Sequence, residues 1–331
     1  MLTNLTIMKQ KRKIFPDYFT ITLKGMAMGA ADVVPGVSGG TIAFISGIYQ
    51  ELIDSINSVS VMLFKDWKND GFKKAWQKMN GSFLVALLLG IAISILSLAK
   101  LITYLLKNEA IAVWSFFFGL VIASIVMIGQ QIKSWDFKTI LALLVSGFIS
   151  YYITIAEPFA SPDSNLYLFM SGFIAIIAMI LPGISGAFIL LLMGSYEVVM
   201  GTLNQFREGL VKGNFEVLSQ SLLKLLIFIA GCIIGLKLFS KVLHWMFEKH
   251  KMLTLATLTG FMVGSLNKVW PWKKVLSTRI NSHGETVTFM DKSIFPNHFD
   301  GDPEIILAVL LMIAGFMTIF MLEKFAKKFS K

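Results

Sequence analysis

The chain is short of cysteine, histidine and charge, and each shortage narrows what it can be. Its one thiol, Cys232, lies within an apolar run, which excludes an intrachain disulfide and argues against a thiolate metal site. The four histidines (His244, His250, His283, His298) lack metal-ligand spacing and fall in loops or at helix ends. Charged residues make up only 15% of the chain, against about 25% in a soluble domain. Acidic side chains are the scarcer kind, 20 against 30 Lys and Arg, for a formal net charge of +10. Such an excess would suit nucleic acid, but here Lys and Arg flank apolar runs, so membrane topology explains them better. The basic start (Lys9, Lys11, Arg12, Lys13) precedes no short apolar stretch with a clear cleavage site, so no removable signal peptide is expected.

In place of charge the chain carries apolar bulk: 55% hydrophobic residues, 28 Phe and a mean hydropathy of +0.71. Several apolar runs reach about 20 residues, enough to cross a hydrocarbon core of about 30 Å. The composition reads as an all-α polytopic membrane protein. One stretch and its echo organise it. Pro35-Gly36-Val37-Ser38-Gly39-Gly40-Thr41 recurs as Pro182-Gly183-Ile184-Ser185-Gly186-Ala187-Phe188, 147 residues later. The same offset maps Gly25 onto Gly172, Ile42 onto Ile189, Gly47 onto Gly194, Tyr49 onto Tyr196 and Asn57 onto Asn204 without a gap. That register points to a duplication, and a duplication fixes architecture.

The order of segments repeats as well. A basic tail (1–17) leads into a first repeat (18–156): an interrupted apolar segment to 57, a basic amphipathic surface stretch over 58–80, then runs at 81–106, 110–129 and 138–156. An acidic turn (157–165) precedes the second repeat (166–325), with its own interrupted segment and runs at 221–243, 252–270 and 304–323. A polar loop over 271–303 is unique to the second half and reads as a surface excursion; a basic tail (326–331) closes the chain. If each interrupted segment enters and leaves on one side while every other run crosses, twenty of the thirty Lys and Arg fall in cytoplasmic segments. Three crossings per half is an odd number, so the second repeat is inverted relative to the first, as in many secondary transporters. The expected fold is therefore two inverted-topology repeats, each a re-entrant broken-helix hairpin plus three transmembrane helices, with both termini cytoplasmic.

The two breaks are the candidate site. Proline removes a backbone donor and stops a helix, and glycine admits conformations other residues avoid. Broken backbone at membrane depth is tolerated only where it is buried in protein or lines a cavity. A second helix opening at Gly39-Gly40-Thr41 presents free N–H groups and a positive dipole end, an anion site to which the Ser38 and Ser185 hydroxyls add donors. Two such starts meeting near the midplane would hold a phosphate-sized anion without a buried lysine. The plainer reading is that these glycines only permit close helix packing. The expected head-group residues are Gly36, Val37, Ser38, Gly39, Gly40 and Thr41 in the first half and Gly183, Ile184, Ser185 and Gly186 in the second. Arg207 is a further phosphate partner by bidentate contact, or an ordinary interfacial anchor. Lys24 reads the same way. Asp32 and Glu197 are intramembrane carboxylates, candidates for coupling to H⁺ or Na⁺ or for orienting the serine and backbone donors; Glu51 and Asp54 read as interfacial. Phe116-Phe117-Phe118 is lipid-facing or packed, or lines a slot for an isoprenoid chain.

The segment Lys24-Gly25-Met26-Ala27-Met28-Gly29-Ala30-Ala31-Asp32-Val33-Val34-Pro35-Gly36-Val37-Ser38-Gly39-Gly40-Thr41-Ile42-Ala43, followed by Gly47-Ile48-Tyr49, resembles the signature of the polyprenyl-phosphate transporter (PopT-type) family. Leu181-Pro182-Gly183-Ile184-Ser185-Gly186 with Gly194-Ser195-Tyr196-Glu197 resembles its second signature, departing from the first at Ala187-Phe188. The resemblance covers residues 18–325. It implies a flippase of the bacterial cytoplasmic membrane that returns undecaprenyl phosphate, the lipid carrier of cell-wall synthesis, from the outer to the inner leaflet. The residues alone reach only paired anion-binding breaks in a transporter. They leave open a channel or transporter for a small soluble anion, and a membrane lipid phosphatase, for which the histidines lie away from the motifs. The expected partners are undecaprenyl phosphate and membrane lipids, with no nucleic acid, metal or cofactor beyond a coupling cation; the oligomeric state is not legible.

Overall fold

The computed structural model describes residues 17–33, 38–59, 61–158, 164–280 and 286–329. The basic tail to residue 16, Pro35, Gly36 and Val37 of the first motif, His283 and most of the acidic turn lie outside the described residues.

The apolar runs fold into helices because a helix satisfies every backbone group internally, and lipid demands that. The first half contains α1 (Asp17–Val33), α2 (Gly39–Ile45), α3 (Tyr49–Ser58), α4 (Val61–Asp70), α5 (Phe72–Lys78), α6 (Gly81–Asn108), α7 (Ala110–Gly129) and α8 (Phe137–Ile155). The second contains α9 (Asn165–Ile180), α10 (Gly186–Leu192), α11 (Tyr196–Lys212), α12 (Phe215–Lys249), α13 (Lys251–Ser265) and α14 (Ile305–Phe329). Four of them, α6, α7, α8 and α12, are long and apolar enough to cross a membrane; α10 and α11, bent by 105° at their junction, make a fifth if taken as one span. The sequence reading expects six crossings; of the two remaining runs, α13 has 15 residues and α14 has 25, with its apolar portion over 305–321.

Asp136, Ser185 and Asn214 cap the starts of α8, α10 and α12 by accepting backbone N–H bonds, and Ser38 does so for α2. The amphipathic surface stretch over 58–80 holds two helices: Gly71, at φ +84°, separates α4 from α5. The polar stretch over 205–220 is helical nearly throughout, divided at Gly213.

Helices pair closely where glycine removes the side chain between them. Gly25 on α1 faces Leu87 and Gly90 on α6; Gly172 on α9 faces Phe228 and Cys232 on α12. A Cβ at Gly90 would stand 2.1 Å from the Thr22 carbonyl oxygen, and one at Gly231 would stand 2.1 Å from that of Phe169. So α1 packs on α6 as α9 packs on α12. Likewise α7 packs on α14 through Gly119 and Gly315, and α8 on α13 through Gly147 and Gly260. The Ser150 hydroxyl ties α8 to α13 by donating to the Phe261 carbonyl at 2.7 Å.

The departure from an all-helical chain is the loop over 271–303. It holds an antiparallel hairpin, β1 (Lys273–Ile280) with β2 (Thr286–Ser293), followed by a 3₁₀ turn at Pro296–His298. Its base is pinned to the helical body: Trp270 donates through Nε1 to the Ile294 carbonyl at 2.8 Å, and the Ser293 hydroxyl donates to the Asn267 carbonyl at 2.9 Å.

Replacing Gly90 or Gly231 by Ala drives a methyl into the facing backbone and should cost about 1–3 kcal/mol. Gly201→Ala, on α11 with open space around it, should be neutral or stabilising by up to about 1 kcal/mol. Thermal unfolding of the purified variants in detergent checks this; equal shifts for all three would refute the crossing contacts.

Candidate functional site: two helix breaks that meet

At the first break α1 stops at Val33 and α2 opens after Ser38, whose backbone is extended (φ −121°, ψ 134°). The Ser38 hydroxyl oxygen accepts the Gly40 N–H at 3.1 Å, and its carbonyl accepts the Thr41 N–H at 2.9 Å. The Gly39 N–H donates to Asp32 Oδ1 at 2.7 Å. The expectation of free donors at this helix start therefore needs correction for Gly39, Gly40 and Thr41. All three N–H groups are engaged from within, and a carboxylate of the chain's own sits where an anion was expected.

At the second break α9 stops at Ile180. Leu181 turns extended ahead of Pro182, as a residue before proline must. Gly183 adopts φ +87°, where a Cβ would fall 2.8 Å from the Phe261 carbonyl oxygen, so no other residue fits. Ser185, 9% exposed, caps α10 by accepting the Phe188 N–H at 3.4 Å. Ile184 is buried, and Gly186 lies against the Ala175 carbonyl.

The two breaks touch. The Ser38 hydroxyl donates to the Met179 carbonyl at 3.1 Å, and the Gly183 N–H donates to Thr41 Oγ1 at 2.9 Å. The fully buried Tyr49 donates through its hydroxyl to the Ile180 carbonyl at 3.1 Å. Met179 and Ile180 end α9, and their carbonyls are among the acceptors a broken helix leaves without an intrahelical partner. Groups 131 to 142 residues apart in sequence thus complete one another's hydrogen bonding. Gly40 makes the approach possible: a Cβ there would stand 2.5 Å from the Ile180 carbonyl oxygen.

Other expected residues lie elsewhere. Gly36 and Val37 fall outside the described residues. Arg207 is exposed on α11 and takes no part in the contact between the breaks. Glu197 stands exposed in the first turn of α11, likewise outside that contact. Lys24 donates to the Ser46 carbonyl at 2.7 Å, and Lys237 donates to the Ile56 and Asn57 carbonyls. Both ammonium groups thereby cover the negative ends of α2 and α3. Asn80 donates to Glu51 at 2.7 Å. His244, read from sequence as incidental, lies between two carboxylates: its Nδ1 is 2.6 Å from Asp54 and its Nε2 3.4 Å from Glu248. Phe116, Phe117 and Phe118 are half-buried against the core, with Phe118 edge-on to Trp270.

The sequence reading missed the charges beside the second break. Ser150, Thr154, Gly183, Ser185, Phe188 and Lys268 line a cavity of about 10 Å³, room for roughly one water. Lys268 Nζ lies 4.6 Å from the centre of the Phe188 ring and 3.0 Å from Asp291 Oδ1 of the hairpin. Lys273 Nζ is 3.7 Å from Asp291 Oδ2 and 4.1 Å from the centre of the Trp114 ring. Burial pushes the Lys273 ammonium down to about 7, with Lys268 adding to that and Asp291 opposing it. Burial alone would raise the Asp291 carboxyl, but Lys273 and Lys268 hold it below its ordinary value. The signal available beforehand was Lys268 at the edge of an apolar run, just before Trp270-Pro271-Trp272; a partner from a hairpin 23 residues on carries no local sequence mark.

Residues 28–287 match the VCA0040-like family, described as undecaprenyl phosphate translocase-like. The chain is 44% identical over 316 residues to a protein of Vibrio cholerae named polyprenyl-phosphate transporter, covering 94% of this chain and 98% of that one. A Staphylococcus aureus protein of the same name is 34% identical over 261 residues, 75% of this chain and 85% of its own length. No solved structure matches significantly.

Two outcomes follow from this geometry. Gly40→Ala should separate the breaks and lower the melting temperature in detergent more than Ser185→Ala does; the reverse order would contradict the contact. For Lys273 the unfolded ammonium titrates near 10.5 and the folded one near 7. Between those values the unfolded chain binds more protons, so this group makes stability rise with pH from about 7 to about 10. Lys273→Met should remove that rise, and parallel melting profiles for the two proteins across this window would refute it.

Proposed function

The chain belongs to the undecaprenyl phosphate translocase-like family, and from that membership we propose that it is a transporter that moves polyprenyl phosphate, undecaprenyl phosphate in particular, between the leaflets of a membrane. The two relatives are named as transporters of this substrate class, and no covalent chemistry enters the reading. The observation that carries the site is the direct contact of the two breaks through Ser38, Thr41 and Gly183. In this reading the phosphate head group binds there, held by the backbone of Gly36 to Thr41 and Gly183 to Gly186 with the Ser38, Thr41 and Ser185 hydroxyls. The isoprenoid tail stays in lipid. Because Asp32 already accepts the Gly39 N–H, the phosphate takes that donor from Asp32. The released carboxylate is then free to take up a proton or sodium ion, which supports Asp32 over Glu197 as the coupling group. Arg207, exposed on α11, serves the head group only in a conformation that brings α11 to the breaks.

The repeated pairing of α1 with α6 and α9 with α12, with Gly25 and Gly172 at the crossings related by the 147-residue offset, supports two inverted repeats over 18–156 and 166–325. Rocking of one against the other would expose the site alternately. The distribution of basic residues supports re-entrant breaks, both termini in the cytoplasm and residence in the bacterial cytoplasmic membrane. On the same reading the carrier is recycled for cell-wall synthesis.

Binding to purified protein tests the proposal, by native mass spectrometry with undecaprenyl phosphate, its pyrophosphate and an anionic phospholipid. Selective binding of the monophosphate, weakened about tenfold or more in the Ser38→Ala/Ser185→Ala double variant, is the expected result. An equal response to all three lipids would overturn the substrate assignment and make small-anion flux in liposomes the next experiment.

A further inference from the structure

The mechanism above leaves three buried charges unused: Lys268, Lys273 and Asp291. Lys268 is 12% exposed, Lys273 10% and Asp291 19%. Two ammonium groups converge on one carboxylate, and Lys268 also lines the cavity that reaches Ser185. Trp114 and Phe188 cover the two ammonium groups with their ring faces. Taking such charges from water is costly, and a single carboxylate answers only one of two positive charges. A phosphate monoester carries about −1.5 to −2 near neutral pH and offers three acceptor oxygens. It matches the pair in charge when both lysines are protonated, where Asp291 does not, and its second negative charge favours the protonated form of Lys273. A phosphate diester, the linkage of ordinary phospholipids, brings a single negative charge and gains nothing over Asp291.

We propose that Lys268 and Lys273 form a phosphate-monoester site beside the second break, which the hairpin carboxylate of Asp291 occupies until a monoester displaces it. The site rests on the reading of this chain as a polyprenyl-phosphate carrier and deepens it: the pair distinguishes the carrier lipid from the diester lipids that surround it in excess. Asp291 acts as an internal competitor. Ser185 and Lys268 line the same small cavity, which places the Lys268 end of the site next to the break.

The same chemistry is presented by a lipid head group and by free phosphate, so both serve as probes. The full chain is purified in detergent as wild type, Lys268→Gln, Asp291→Asn and the double variant, and titrated separately with undecaprenyl phosphate, inorganic phosphate and phosphatidylglycerol. Lys268→Gln should weaken binding of the monoester about tenfold or more, and Asp291→Asn should tighten it by a few-fold, since one removes a cation and the other a competitor. Phosphatidylglycerol binding should change in neither. A melting curve for each variant separates lost binding from lost folding. If Lys268→Gln lowers only the melting temperature, or if Asp291→Asn weakens binding, the cluster merely pins the hairpin and the inference is overturned while the carrier reading stands. If inorganic phosphate binds in a Lys268-dependent way but undecaprenyl phosphate does not, the site holds and the carrier reading fails. If wild type binds neither monoester, the site is refuted.

Discussion

A helix that breaks inside a membrane leaves donors and acceptors with no water to receive them. This chain breaks two, and the contact between them is what lets both exist. Ser38 and Tyr49 cover carbonyls at the end of α9, and Thr41 receives the N–H of Gly183. Neither half could bury its own break alone. Each break thus stands in for the solvent that the other lacks. The glycine crossings serve the same end. Bare backbone at Gly90 and Gly231 brings α6 and α12 against the broken segments closely enough to enclose them.

Much of this was legible in the sequence because its causes are local. Proline and glycine mark a break wherever they fall in an apolar run, so Pro182-Gly183 located the end of α9 without reference to anything distant. A 147-residue register carries the pairing of halves, and apolar length carries the long helices. The rest depends on distance in space. Whether an N–H at a helix start is free is decided by what lies opposite, and Asp32, seven residues upstream of Gly39, reads equally well as a coupling group or a cap. The hairpin was invisible for a different reason. Its strands lie in a polar loop, and Asp291 acquires meaning only from Lys268 and Lys273, which the fold brings to it. His244 became part of a carboxylate pair through α3, a neighbour no spacing rule could supply.

The two halves have also diverged where they matter most. Thr41 in the first motif answers to Phe188 in the second, a hydroxyl against a ring, and only the second half carries the hairpin and its charges. One break is sealed by hydrogen bonds, while the other opens on a small cavity edged by Lys268. The divergence gives the two breaks different chemistry.

The filled state of the first helix start has a kinetic meaning. A carrier must let go as readily as it takes hold, and a site with idle donors would gain every new bond as affinity and keep its passenger. Here the Gly39 N–H is already taken by Asp32, so on the proposed reading a head group arriving there trades one oxygen for another. Exchange of like for like leaves a shallow well, and a shallow well favours turnover over capture.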